Sequence, residues 1–96
     1  MLELVNVVAQ LVVSSRSFEP IVAFGPNAAE SHHTPGRRSL SPGDSVVIDI
    51  GCRKDGYCSD MTRTLFYREV SDAARAVYAV VLEAQRRAIV AVRPGV

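Results

Sequence analysis

The fold of this chain is decided by the stretch Ser45-Val46-Val47-Ile48-Asp49-Ile50-Gly51 and by the Asp55-Gly56 dipeptide that follows it. The β-branched run is typical of a strand buried on both faces of a sheet. Asp-Gly between two strand-like segments is a strong signal for a tight hairpin turn, and the return strand is predicted from Tyr57 to about Tyr67. The sequence therefore predicts an antiparallel hairpin whose apolar first strand carries an acid, Asp49.

A second acid, Asp60, lies on the predicted return strand, and the length of the turn decides whether it meets Asp49. A two-residue loop sets Lys54 opposite Tyr57 and makes the two acids diagonal neighbours on one face. A four-residue loop places them directly opposite each other, whereas a three-residue loop sends them to opposite faces. Two carboxylates that converge within an apolar hairpin repel each other, and a divalent cation or a pair of cations compensates them.

The alternative for Asp49 is a purely structural acid. In that interpretation its carboxylate is satisfied by Arg63, Thr62 or backbone amides, and Asp60 merely lies near a strand end. Spacing alone does not decide between the metal ligand and the structural acid.

The overall composition excludes several classes of protein. The chain has 96 residues, 48% of them apolar, and a formal net charge of +1, so no basic surplus points to nucleic acid or to an anionic membrane. The same hairpin counting places Cys52 and Cys58 on opposite faces, which predicts two free thiols that serve as small buried hydrophobic residues. Two cysteines are too few for a disulfide-stapled secreted domain, and a reducing, cytoplasmic setting is expected.

The one long apolar segment runs from Met1 to Val13. Its pattern fits neither strict alternation nor one helical face, so helix and buried strand both stay open. It is shorter than the roughly 20 residues of a spanning helix, and Glu3 stands where a signal peptide carries positive charge. We therefore expect a protein that is neither exported nor bound to a membrane.

The segment between this apolar run and the hairpin reads as a strand and a loop. Phe18 to Phe24 predicts a short strand that Gly25-Pro26-Asn27 stops. From there to Pro42 the sequence is rich in turn formers and contains the adjacent His32 and His33. Such a loop, ordered or mobile, often carries function.

The C-terminal quarter predicts a helix from Asp72 to about Val92. Ser71 can cap it, Asp72 suits the positive end of its dipole, and Pro94-Gly95 stops it. Glu83 and Arg87 are spaced for a surface ion pair. One apolar face is predicted to pack on the sheet and consists of Val77, Val81, Ala84, Ala88 and Val92.

Three quoted segments together resemble a known family. Val47-Ile48-Asp49-Ile50-Gly51 and Asp55-Gly56-Tyr57-Cys58-Ser59-Asp60-Met61-Thr62-Arg63-Thr64 are similar to the first metal-binding hairpin of the M24 metallopeptidases. This group includes Xaa-Pro aminopeptidases and proline dipeptidases and is related to methionine aminopeptidases. Ile21-Val22-Ala23-Phe24-Gly25-Pro26-Asn27-Ala28-Ala29-Glu30-Ser31-His32 is similar to the segment that supplies the active-site histidine of the family.

The resemblance implies an α+β, pita-bread (creatinase/aminopeptidase-like) fold, of which this chain holds the N-terminal part: an antiparallel hairpin sheet packed by a C-terminal helix. Residues 18–96 are then the first part of a truncated catalytic domain, and residues 1–17 stay unassigned. The family's further metal ligands, a histidine and two glutamates from strands downstream, are not among these residues. We therefore expect weak metal affinity and little peptidase activity from this chain alone.

The resemblance also implies roles for individual residues. Asp49 is expected to bind one of two divalent metal ions and Asp60 to bridge both, the metals being manganese or cobalt in most members and zinc or iron in some. A metal-activated water is expected to attack the peptide, while His32 contacts the substrate and the tetrahedral intermediate. His33 receives no role. The expected substrate is a peptide with proline at its second position, and full-length relatives are expected to be homodimers.

Two other functions are compatible with the same fold. A non-catalytic peptide- or protein-binding module has no reason to keep two converging acids, and a creatinase-like hydrolase that works without metal is expected to lack them. Retention of Asp49, Asp60 and His32 favours the metallopeptidase over both.

Overall fold

The computed structural model describes residues 15–96, so the helix-or-strand question for Met1 to Val13 lies outside the described residues. The elements follow the chain as β1 (Ser15–Arg16), β2 (Ile21–Phe24), a 3₁₀ helix (Gly25–Ala29), β3 (Ser45–Ile50), β4 (Cys52–Lys54), β5 (Tyr57–Cys58), β6 (Met61–Phe66) and α1 (Asp72–Ala91).

The strands form two antiparallel sheets of three strands each. One has the order β1-β4-β5 and the other β2-β3-β6. β3 is the central strand of the second sheet, because it pairs with β2 on one side and with β6 on the other. The predicted α+β architecture of a hairpin sheet and a C-terminal helix is therefore observed.

Of the three turn lengths that the sequence left open, the hairpin has the two-residue turn. Lys54 pairs with Tyr57, and Asp55 and Gly56 both have positive φ angles, 50° and 84°, as a type I′ hairpin turn requires. The same register continues into β3 and β6, where Asp49 pairs with Thr62. The predicted return strand is interrupted between β5 and β6, because the chain passes there from one sheet to the other.

Burial is lower than the sequence predicts. Among the described residues only two apolar side chains are buried, Ala23 at 2% exposure and Val46 at 8%. The prediction that the β3 segment is buried on both faces is wrong, since the other residues of that strand are half-buried. The physical reason is a thin layer structure, in which α1 is the one long helix of residues 15–96 and contributes no buried residue.

The boundaries of α1 match the prediction. The Ser71 hydroxyl accepts a hydrogen bond from the Ala74 amide at 3.2 Å, which caps the first turn. The helix ends at Ala91, before Pro94-Gly95. The predicted surface pair is also present, with Arg87 Nε 2.8 Å from Glu83 Oε1.

The face of α1 that approaches the sheet differs from the predicted one. The Tyr78 ring meets the Phe66 ring edge-on, with centroids 6.2 Å apart, and the half-buried residues of the helix are Ala74 and Leu82. Because Phe66 engages Tyr78, the row at positions 74, 78 and 82 turns toward the sheet. The predicted packing of the other row is wrong: Val77 and Val81 are exposed and line, with Tyr78, Leu82 and residues of β6, an open cleft of about 830 Å³ between the helix and the sheet. Ala84, Ala88 and Val92 are exposed as well.

The two cysteines are free and lie on opposite faces of the hairpin, as predicted. Their interpretation as buried hydrophobic residues is wrong, since Cys52 is half-buried and Cys58 is exposed. The reason is that the hairpin tip is itself exposed, with Tyr57 at 85%. Within residues 15–96 no helix has the length and apolar character to cross a membrane.

Candidate active site

The three residues that the sequence singles out line one cavity. Its volume is about 450 Å³, and His32, Asp49 and Asp60 all contribute to its wall. The remaining lining residues are Phe18, Glu19, Ile21 and Ser31. The strand-loop segment and the hairpin, which are separate in the sequence, therefore meet at this cavity.

Asp49 is positioned by the centre of the sheet. It pairs with Ile21 of β2 and with Thr62 of β6, and the Thr62 hydroxyl donates a hydrogen bond to Asp49 Oδ1 at 3.0 Å. Arg63 pairs with Ile48 and so belongs to the opposite face. This hydrogen bond satisfies one oxygen of the Asp49 carboxylate and does not neutralise its negative charge. Of the side chains that would make Asp49 a structural acid, Thr62 is in place and Arg63 is not.

Asp60 is positioned by the crossing of the chain between β5 and β6. Its neighbour Ser59 is fixed there by three hydrogen bonds: its amide donates to the Cys52 carbonyl at 2.8 Å, its hydroxyl accepts from the Cys52 amide at 3.1 Å, and its carbonyl accepts from the Ser17 hydroxyl at 2.9 Å. A Cβ atom at Gly51 would overlap the Ser59 carbonyl and the Ser17 hydroxyl. Glycine at 51 therefore permits the close approach that brings Asp60 beside the sheet.

The electrostatics of the cavity are dominated by carboxylates. Glu19, a third acid for which the sequence patterns gave no role, is paired with Arg16 at 3.0 Å. Within residues 15–96 neither Asp49 nor Asp60 forms an ion pair. Two carboxylates on one cavity without a cation partner fit the oxygen ligands that hard divalent metals prefer.

The described residues supply only part of a metal-binding set. Across residues 15–96 no group of three or more histidine, cysteine, aspartate or glutamate side chains is arranged to hold a metal ion. The two acids therefore fit a divalent cation only as a partial set of donors.

The loop that carries His32 is held by its neighbour. His33 Nδ1 lies 2.8 Å from Glu30 Oε2, and His33 Nε2 lies 3.3 Å from Asn27 Nδ2. The His33 side chain is only 11% exposed, whereas His32 is exposed at the cavity. The loop is thus ordered by contacts that begin in the 3₁₀ helix.

An ion pair between Arg38 and Asp44, called the clamp below, lies against the start of the same loop at Phe24 and Gly25. The Arg38 guanidinium donates two hydrogen bonds to the Asp44 carboxylate, at 2.7 and 3.0 Å, and lies 5.6 Å from the centroid of the Phe24 ring. The Ser41 amide donates a third bond to Asp44 at 2.9 Å. The hydrogen bonds from Arg38 and then from Ser41 lower the pKa of Asp44.

Gly25 is required beneath this clamp. Its φ angle is +58°, and a Cβ atom there would lie 2.6 Å from Arg38 Nη1 and 2.7 Å from Asp44 Oδ1. Sequence reasoning identified Gly25 as a strand stop and missed the clamp. Only the glycine itself was a signal, since a residue that ends a strand with positive φ favours glycine.

Comparisons with known proteins identify the family and the fold. The model of metallopeptidase family M24 matches residues 2–96. An uncharacterized peptidase of Staphylococcus aureus is 43% identical over 98% of this chain. The crystal structure of a recombinant prolidase from Thermococcus sibiricus superposes with a TM-score of 0.85 at 41% identity, over 98% of this chain and 27% of that one. An X-Pro aminopeptidase from Thermotoga maritima gives a TM-score of 0.73 at 37% identity, over 82% of this chain and 22% of that one.

The chain belongs to metallopeptidase family M24, and its sheets and helix are the N-terminal part of the pita-bread fold. The chain spans about 28% of the length of the curated relatives that it matches.

Proposed function

We propose that this chain is the first part of the catalytic domain of a metal-dependent exopeptidase that removes N-terminal residues from peptides. Xaa-Pro aminopeptidase and proline dipeptidase are the two activities we assign to the complete enzyme. The observation that carries the proposal is the convergence of Asp49, Asp60 and His32 on one cavity, with no cation paired to either acid among residues 15–96. The family and the names of its neighbours, a prolidase and an X-Pro aminopeptidase, support the peptide substrate and the proline preference.

Each of the three residues has a distinct task in this proposal. Asp49 and Asp60 hold divalent metal, which when bound supplies a water of lowered pKa as the nucleophile and polarises the scissile carbonyl. Thr62 orients the Asp49 carboxylate through the hydrogen bond to Oδ1. The His32 imidazole donates a hydrogen bond to the carbonyl oxygen as negative charge develops on it. Phe18 and Ile21 supply apolar wall beside the acids.

The complete site needs donors beyond these residues. We infer two divalent ions, manganese or cobalt, which a histidine and two glutamates from outside residues 1–96 help to hold. We also infer a cytoplasmic enzyme whose complete form is a homodimer, with residues 18–96 as the first part of the catalytic domain.

Manganese binding to the purified chain tests the role of the two acids. We expect weak Mn²⁺ binding, detected by electron paramagnetic resonance, that Asp49→Asn and Asp60→Asn each abolish. Asp55→Asn is the matched control, because that acid lies at the hairpin tip and its loss should leave binding unchanged. Equal Mn²⁺ binding by all four proteins would overturn the metal site.

Hydrolysis tests whether the chain is catalytically incomplete. We expect little or no cleavage of an Xaa-Pro dipeptide by the manganese-loaded chain, and cleavage at rates typical of a complete peptidase would contradict this. The DNA downstream of Val96 supplies the second test. A continuing frame that encodes a histidine and two glutamates in downstream strands would support the enzyme, whereas an early stop would favour a binding module.

A further inference from the structure

The adjacent histidines of the loop lie in opposite environments. His32 is exposed and lines the cavity with the two acids, whereas the His33 side chain is 11% exposed. Both ring nitrogens of His33 have partners, Glu30 Oε2 at 2.8 Å and Asn27 Nδ2 at 3.3 Å. The sequence pattern singled out both histidines and gave a role only to the first.

The hydrogen-bond partners of His33 determine which ring nitrogen carries the proton. Asn27 Nδ2 is a donor, so Nε2 of the ring must accept, and the proton of the neutral ring must then lie on Nδ1. Nδ1–H faces the carboxylate of Glu30, which makes this hydrogen bond charge-assisted. A neutral imidazole with its proton on Nδ1 is the tautomer that satisfies both partners at once.

The network joins the His32 loop to the 3₁₀ helix at the end of β2. Asn27 belongs to the 3₁₀ helix that follows β2 directly, and the Glu30 amide also donates to the Asn27 carbonyl at 3.0 Å. The start of this 3₁₀ helix is fixed by Gly25 under the Arg38–Asp44 clamp. The His33 ring therefore connects the 3₁₀ helix, which begins under the Arg38–Asp44 clamp, to the part of the loop that carries His32.

We propose that His33 is a positioning residue, which holds the loop from Asn27 to His33 in the conformation that presents His32 to Asp49 and Asp60. This inference rests on the proposed function, because the catalytic role proposed for His32 is the reason why the site holds that residue in place. A side chain can act in this way only when its own orientation is fixed, and the two bonds to Glu30 and Asn27 fix it.

Two NMR measurements on the full 96-residue chain test this role. Long-range ¹H–¹⁵N correlation of the imidazoles at pH 8, where an ordinary imidazole is neutral, should show the His33 proton on Nδ1. Mn²⁺ bound near Asp49 should broaden the ring resonances of His32 and the resonances of Thr62. In His33→Leu the broadening of His32 should weaken relative to that of Thr62, which should be retained.

The controls separate positioning from general damage. His33→Gln should restore the broadening of His32, because an amide offers one donor and one acceptor in place of the ring nitrogens, whereas Thr34→Ala should change nothing. Glu30→Ala removes the acceptor without altering the ring and should show the same weakening if the leucine variant does not fold.

The outcomes distinguish the two proposals. Equal broadening of His32 in the unmodified chain and in His33→Leu, or a His33 proton on Nε2, would overturn the positioning role and leave the metal site intact. Absence of broadening at both Thr62 and His32 in the unmodified chain would overturn the proposed metal site and the role of His33 with it.

Discussion

The loop from Gly25 to Asp44 is held more firmly than its sequence indicates, whereas the helix α1 is packed less firmly than its sequence indicates. The loop is rich in turn formers, yet a bidentate ion pair and two imidazole contacts hold it. The helix has a regular apolar pattern and a good cap, yet it contributes no buried residue. Local pattern determines that α1 forms, whereas tertiary partners determine what it buries. The loop finds its partners within a few residues along the chain, and most of α1 does not find them within residues 15–96.

The largest effect should come from adding a methyl group beneath the clamp. Gly25→Ala places a Cβ atom in the left-handed conformation, which costs roughly 1–2 kcal/mol, and the overlap with Arg38 and Asp44 adds to that cost. Urea denaturation of the variant should show a free energy of unfolding lowered by more than this conformational term.

Two glycines provide matched controls for Gly25. Gly56 also has positive φ but has open space around it, so Gly56→Ala should cost the conformational term alone. Gly36 has open space and no positive φ, and Gly36→Ala should change stability little. If Gly25→Ala costs no more than Gly56→Ala, the loop is not held as tightly as its hydrogen bonds indicate.

A smaller loss of stability is expected when Asp44 of the clamp is protonated at low pH. The pKa of Asp44 is lower in the folded chain than its ordinary value, mainly because of Arg38. Its contribution to stability is therefore present above the ordinary carboxyl value of about 3.9 and is lost as the pH falls through the lower, folded value. Unfolding followed between pH 6 and pH 2 should show this loss in the unmodified chain.

Asp44→Asn serves as the control for that titration. The variant should be less stable near pH 6 and should lack the part of the acid-induced loss that belongs to this carboxyl. High salt should narrow the difference between the two proteins, because exposed pairs are screened. An unchanged pH profile in Asp44→Asn would mean that the clamp contributes nothing to loop stability.

On the helix, a moderate effect is expected where α1 touches the sheet. Tyr78→Ala removes the edge-on contact with Phe66, and such aromatic pairs contribute about 0.5–1.5 kcal/mol beyond burial of their area. The free energy of unfolding, measured in urea, should fall by this pair contribution and by the contribution of the ring area that the contact buries. A loss as large as that of Gly25→Ala would show that the helix is held as firmly as the loop.

The smallest effect is expected on the far side of α1. Val90 is 86% exposed, so Val90→Lys should change the free energy of unfolding by less than about 0.5 kcal/mol. A substantial loss of stability in urea would mean that this face packs against another part of the chain in solution.

The parts of the fold that follow from the sequence are those fixed by neighbours along the chain. Asp55-Gly56 set the hairpin register, and counting in that register predicts Asp49 and Asp60 on one face. Ser71 set the start of α1. These features need only a turn or a cap, and both are local.

The parts that sequence reasoning missed depend on the path of the chain in space. The Arg38–Asp44 pair requires the turn that brings the two residues together, and the rotation of α1 depends on the contact between Phe66 and Tyr78. His32 was joined to the site by family resemblance rather than by spacing. Its place beside the acids is now observed, and its chemical role stays a proposal.

The two-residue turn at Asp55-Gly56 also limits how this hairpin can change by insertion and deletion. As long as the turn keeps two residues, an odd number of residues added near the tip shifts the pairing of the strands and places the two acids on opposite faces, because successive side chains alternate. An even number preserves their shared side, as long as the new turn keeps the strands paired. Insertions that leave the two-residue turn in place are therefore expected in pairs of residues wherever both acids are in use, whereas a single added residue is tolerated only where the turn itself takes it up.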